Sequence, residues 1–194
     1  TSFFVHTDTG EYVLRVAPPP DSAFLFYERD MMKQEPAIHA LVREKTSVPV
    51  ARIVAFDQSH EIFNRDFIIM QRLPGIPLSD ARFADNDLIM AEVGRCLAQV
   101  HACTEQQYGY LGAHHPMEPQ QRWVDAFVIL WRKLLEDIET TGIYSESEKE
   151  SLIRLLDTHL PLFDRDPPAS LLHMDIWAQN ILVNDTLSTL TGLV

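Results

Sequence analysis

The run Leu73-Pro74-Gly75-Ile76-Pro77 separates two different kinds of sequence. Proline brings no N–H, and glycine beside it favours a turn, so the run can neither continue a strand nor start a regular helix. Before it, apolar residues come in short strand-like runs; after it, they recur at helical spacing. The chain therefore reads as α+β, with a sheet lobe over residues 1–73, a hinge over 74–78 and a mainly helical lobe over 79–194.

In the sheet lobe, Phe3-Phe4-Val5-His6 and Glu11 to Ala17 flank Thr7-Asp8-Thr9-Gly10, the signature of a β-hairpin. Pro18-Pro19-Pro20 ends it. A helix is expected from Asp21 or Ser22 through Phe24, Tyr27 and Met31, reset at Pro36 and continuing through Ile38, Leu41 and Val42 toward Lys45. Two further apolar runs, Arg52 to Phe56 and Phe67 to Met70, enclose a polar turn. Together these predict an antiparallel sheet of at least four strands, with helices inserted after the second.

Beyond the hinge, residues from about Asn86 to Ala102 predict a helix, as do those from about Gln120 to Thr140, stopped at Gly142. Ser145-Glu146-Ser147-Glu148 is a capping box opening a helix to about His159. His101 is expected to pack or cap, and His114-His115 to be solvated. Trp123 and Trp131 share a helix face and are expected in the core. Cys96 and Cys103 read as reduced core residues on one helix, too far apart for a disulfide.

Apolar residues then enclose a polar loop in Leu171-Leu172-His173-Met174-Asp175-Ile176-Trp177-Ala178-Gln179-Asn180-Ile181-Leu182-Val183, with the spacing His-x-Asp-x-x-x-x-Asn. Phosphoryl transfer needs a carboxylate at the attacking hydroxyl and oxygen ligands for magnesium. Asp175 can accept the hydroxyl proton, Asn180 can offer its amide oxygen to the metal, and a buried His173 would brace the loop. An ordinary turn into a strand would carry similar residues, so the surrounding sequence has to decide.

Arg15 stands inside a strand, where a cation could reach nucleotide phosphates and pair with a helix carboxylate. Glu35 is the candidate partner, with Glu28 and Glu44 competing. Met70-Gln71-Arg72-Leu73 leaves a strand for the hinge, with backbone groups suited to the edge of a planar base.

The net charge of −12 argues against a nucleic-acid partner and would suit a cationic small molecule. No apolar run approaches the roughly 20 residues needed to span a bilayer. The first residues lack the pattern of a secretory signal, and the two unpaired cysteines agree with a cytoplasmic location.

Strand cation, helix glutamate, Val48-Pro49 before a strand, an apolar strand into Leu73-Pro74-Gly75, and the His173–Asp175–Asn180 loop occur in a specific order. In that order the chain resembles the aminoglycoside phosphotransferase and choline kinase group, small-molecule kinases with a bilobal protein-kinase-like fold. The resemblance implies transfer of the γ-phosphoryl group of ATP (or GTP), with Mg2+, to the hydroxyl of a small-molecule acceptor. Asp175 matches the catalytic aspartate, His173 the bracing histidine and Asn180 a magnesium ligand. Arg15 stands where the phosphate-binding lysine usually does, and Glu35 matches its partner. Met70 is the gatekeeper behind the base, and the Gln71 carbonyl and Leu73 amide are the hinge groups that bind adenine.

Position 174 is Met where many members carry glycine, and Trp177 stands where protein kinases carry lysine, which disfavours a protein substrate. The resemblance also implies that residues 1–73 are a nucleotide-binding lobe lacking a first strand and phosphate loop. It further implies that residues 79–194 are a catalytic lobe lacking most acceptor-binding helices, and that Asp follows Val194. The competing class is a non-catalytic nucleotide-binding or interaction module on the same fold.

Overall fold

A computed structural model describes residues 1–194 and divides them into two compact units. The first comprises Thr1–Ser22, Glu35–Cys103 and Ser170–Val194; the second comprises Ala23–Gln34 and Thr104–Ala169.

The first unit contains β1 (Ser2–Thr7), β2 (Gly10–Val16), α1 (Glu35–Lys45), β3 (Ile53–Asp57) and β4 (Phe67–Gln71). The four strands form an antiparallel sheet in the order β1-β2-β4-β3, as the apolar runs predict. Phe67, Ile68 and Met70 of the interior strand β4 are buried. The β1–β2 turn is closed by Thr7, whose hydroxyl donates to the Gly10 carbonyl at 3.0 Å and accepts from the Thr9 amide at 3.2 Å.

The same unit continues with β5 (Ile76–Pro77) and α2 (Asn86–His101). Asp85 caps α2 by accepting from the Asp87 and Leu88 amides, satisfying donors that a helix start leaves unpaired. Ile89, Val93, Cys96 and Val100 recur every three or four residues and form the buried stripe of α2. They pack with Ile181, Val183 and Leu193 of β8 (Ile181–Asn184) and β9 (Thr189–Leu193). Each fully buried aliphatic side chain here contributes about 1.5–3 kcal/mol.

β5, β8 and β9 form a second sheet, so the hinge run contains a strand after all, contrary to expectation. It is only two residues long and lies at the sheet edge, where the missing N–H of Pro77 is tolerated. Gly75, just before it, has φ +102°, and a Cβ there would stand 2.6 Å from the Val183 carbonyl oxygen. Gly75→Ala is therefore expected to destabilise the fold by about 1–3 kcal/mol from backbone strain. Denaturant titration should show a lower midpoint at unchanged slope; a midpoint equal to the parent's would refute the close approach.

The second unit contains α3 (Trp123–Thr140) and α4 (Glu146–His159), with the two-residue strand β6 (Thr104–Glu105) at the start of its longer segment and the first residue of β7 (Ala169–Ser170) at its end. α4 opens with the expected capping box, and Gly142, after α3, adopts φ +65°. The α3 aromatics form a continuous cluster: Tyr108, Trp123, Phe127 and Trp131 follow one another, and Phe163 stacks on Phe127 at 4.6 Å.

Three other expectations are corrected. The segment after Asp21 is not a helix. Its Leu25 and Phe26 amides donate to the carboxylates of Glu28 and Asp137, and Asp30 has φ +59°, outside helical space. A short 3-10 turn, Met31–Gln34, leads into α1. His114 is buried, only 1% exposed, against the Tyr110 ring, while His115 is exposed. Burial holds the His114 imidazole below its ordinary pKa and hence neutral at pH 7. Cys103 is buried and unpaired like Cys96, but it lies beyond the end of α2, with its thiol on the Gln99 carbonyl.

Candidate active site

The loop between Ser170 and Ile181 has no regular structure, and its backbone is fixed by hydrogen bonds. The Leu171 amide donates to the Cys103 carbonyl (2.8 Å), Ser79 to Ala178 (3.1 Å), Asn180 to Trp177 (2.9 Å) and Val194 to Asn180 (3.0 Å). Each restricts the conformational freedom of the loop.

Within this frame the side chain of Asn180 donates from Nδ2 to both the carbonyl (2.9 Å) and the carboxylate Oδ2 (2.8 Å) of Asp175. That orients the amide, so Oδ1 of Asn180 is left to accept or to ligate. Asp175 is exposed, with one carboxylate oxygen anchored and the other open.

His173 is half-buried rather than buried, and its Nδ1 accepts from the Asp175 amide at 3.4 Å. An accepting Nδ1 places the proton on Nε2. Burial pulls the His173 pKa below its ordinary value; the Asp175 carboxylate and nearby backbone carbonyls oppose this, and His39 adds to it. Met174 occupies the left-handed region at φ +68°, which explains why glycine suits this position.

The second group of contacts is on the sheet. Arg15 of β2 donates from Nη1 to Oε2 of Glu35, the first residue of α1, at 2.7 Å. The structure thus selects Glu35 from the three candidate carboxylates. The Glu35 side chain is only 14% exposed. Burial raises its pKa above the ordinary value, and Arg15 and then His39 partly offset that rise.

The third group is the end of β4 and the residues that follow it. Met70 is buried, the Gln71 amide donates to the Arg52 carbonyl at 2.9 Å, and the Arg72 amide to Glu11 at 3.1 Å. The Leu73 amide has no hydrogen-bond partner within the chain.

No hydrogen bond or ion pair joins these three groups directly. His39, one turn beyond Glu35 on α1, acts electrostatically on both Glu35 and His173. Its Nδ1 donates to the Ala51 carbonyl at 2.8 Å. Sequence reasoning missed it, although the four-residue spacing from Glu35 was a signal.

Asp185 was missed too. One of its carboxylate oxygens accepts the amides of Arg82, Phe83 and Ala84, at 2.9, 2.7 and 2.9 Å. These bonds hold its pKa below the ordinary carboxylate value and tie the β8–β9 hairpin to the approach to α2. Stability from this tie is present above the unfolded-state pKa and is lost as pH falls through the lower folded-state one.

The donors available to a metal are oxygens, which suits magnesium. No cluster of three or more His, Cys, Asp or Glu forms a ready-made metal cage. Asn180 Oδ1 would thus supply only part of a shell, the rest coming from phosphate and water.

The sheet with its paired cation and the anchored Asp175–Asn180 loop define an α+β chain of kinase-like type. Residues 1–194 match the family model described as the phosphotransferase enzyme family, and the chain belongs to that family.

Among solved structures, a thermostable mutant of aminoglycoside phosphotransferase APH(4)-Ia, in ternary complex with ADP and hygromycin B, is similar with TM-score 0.67 at 18% identity. The APH(4)-Ia structure itself gives TM-score 0.66 at 18% identity. A thermostable mutant with AMP-PNP and hygromycin B gives 0.64 at 17%. Each alignment covers all of this chain and 61% of the other, so the chain spans about three-fifths of those proteins. At such identities the likeness concerns the fold. No curated protein matches the chain.

Proposed function

We propose that this chain carries the nucleotide- and hydroxyl-handling part of a small-molecule kinase. It would move the γ-phosphoryl group of ATP (or GTP) to an acceptor hydroxyl in the cytoplasm. The observation that carries this reading is the exposed Asp175 carboxylate, fixed through one oxygen by Asn180 with the other left open. In this reading residues 1–73 bind the nucleotide, 74–78 form the hinge and 79–194 supply the catalytic loop.

Asp175 takes the hydroxyl proton as the acceptor oxygen bonds to the γ-phosphorus and the bond to the β-phosphate oxygen breaks, releasing ADP. His173 keeps the loop in place. Arg15, steadied by Glu35, uses its remaining N–H groups on the phosphates. The Gln71 carbonyl and Leu73 amide meet the edge of the base, with Met70 behind it. Magnesium would be held by Asn180 together with phosphate oxygens, and supplies charge neutralisation when bound. The APH(4)-Ia complexes, which hold ADP or AMP-PNP with hygromycin B, support a nucleotide donor and a hydroxylated acceptor.

The test is nucleotide consumption by the full-length protein across a panel of hydroxylated acceptors, hygromycin B included. Acceptor-dependent formation of ADP is expected with at least one. Nucleotide binding without acceptor-dependent turnover across the panel would favour the non-catalytic module instead.

A further inference from the structure

Trp177 lies two residues beyond Asp175, so their Cα atoms are at most about 7 Å apart. The two share one hydrogen-bonded frame: Asn180 takes the Trp177 carbonyl with its backbone and the Asp175 carboxylate with its side chain. The indole is 52% exposed, whereas Trp123 and Trp131 are packed among aromatic neighbours. A large aromatic surface thus stands on a hydrogen-bonded backbone close to Asp175.

Met174 points the same way. It is 85% exposed and sits at φ +68°, a conformation costing a non-glycine residue about 1–2 kcal/mol. So exposed a side chain recovers little of that by packing, so fold stability does not account for a methionine there. Thioethers adapt well to irregular apolar surfaces. Leu172, 52% exposed, adds a third large apolar side chain to the same six-residue stretch. Between Ala169 and Val194 the chain has no lysine or arginine, so this stretch offers no fixed cation to an anionic acceptor.

We propose that Trp177, with Met174, is the acceptor-selecting surface, and that it takes a neutral or amine-bearing hydroxyl compound through an apolar or planar ring face. Anionic polyols such as sugar phosphates are refused. This rests on the phosphotransferase reading for the role of Asp175, but the preference itself is a binding property and can be read without turnover.

The probes are phenyl β-D-glucoside, glucose and glucose 6-phosphate, which share hydroxyls and differ in apolar face and charge. Binding to the full-length protein is followed by indole fluorescence, the Trp177→Phe difference spectrum isolating Trp177, and by calorimetry. Phenyl β-D-glucoside is expected to perturb Trp177 and to bind about tenfold more tightly than glucose, in the range of one aromatic contact. Glucose 6-phosphate is expected not to bind.

Trp177→Ala should abolish the preference and Trp177→Phe should keep part of it, with melting temperature confirming that both variants fold. Equal affinity for glucose and its phenyl glycoside, or a preference that survives Trp177→Ala, overturns the proposal. Loss of phosphoryl transfer to every acceptor, with the preference intact, would count against the phosphotransferase reading alone.

Discussion

Asp175→Asn is expected to leave nucleotide affinity nearly unchanged and to lower turnover by about 10² to 10⁴-fold, the usual worth of a positioned general base. The geometry makes this substitution clean. Asn180 donates from Nδ2 to Oδ2 of Asp175, and an asparagine at 175 can still accept that bond through its own oxygen. The loop keeps its frame, because the backbone bonds at Leu171, Ala178 and Asn180 do not involve the side chain. What changes is the free end of the side chain: an open carboxylate oxygen becomes an amide NH₂, which cannot accept a proton. Steady-state kinetics with the best acceptor, alongside titration with a non-hydrolysable nucleotide, checks both halves. Turnover at the parent rate would remove Asp175 from the chemistry.

Arg15→Ala is expected to weaken nucleotide binding by about 10- to 100-fold, corresponding to the 1.5–3 kcal/mol typical of a hydrogen bond to a charged group. Arginine suits the position because Nη1 is spent on Glu35 while the other guanidinium N–H groups stay available. Arg15→Lys keeps the charge but must choose between Glu35 and phosphate, so an intermediate loss is expected.

The pair also gives binding a pH dependence. Burial raises the Glu35 pKa, so on acidification the carboxylate takes its proton above the ordinary range for glutamate and releases Arg15. Nucleotide affinity should fall in that mildly acidic window and be restored as pH rises through it. For stability the sign is opposite: the folded chain binds this proton more tightly than the unfolded one. Its stabilising contribution is therefore largest at low pH and is lost as pH rises through the folded-state value. Glu35→Gln should remove this limb of the affinity profile. An unchanged acid limb in Glu35→Gln would assign it to another group, His173 first.

Much of this was legible because local chemistry decided it. The Thr7–Gly10 turn and the Ser145–Glu148 capping box are written within four residues of sequence, and each is found as read. The Asp175–Asn180 contact follows from a five-residue spacing. The misreadings share a different cause. The amide of Phe26 is claimed by a carboxylate 111 residues away, which no helix-start signal near Asp21 could reveal. His114 looked solvated in its Gly- and Pro-rich loop, and only the Tyr110 ring and its surroundings bury it. The hold of Asp185 on three amides spans about 100 positions, and its sequence shows nothing but a turn.

That long reach has a consequence for biosynthesis. Ile89 and Val93 of α2 find their core partners in Ile181, Val183 and Leu193, which the ribosome adds last among these residues. At about 5–20 residues per second, the apolar stripe of α2 waits roughly 5 to 20 s, after Val93 is made, for Leu193 to arrive. During that interval the nascent chain carries a sticky amphipathic helix with no strand to cover it. The loop bearing Asp175 comes out of the tunnel together with the strands that fix it, so the reactive carboxylate and its frame mature in one late step. Any delay in translating the residues from Ser170 to Leu193 lengthens the exposure of the α2 stripe before β8 and β9 can cover it.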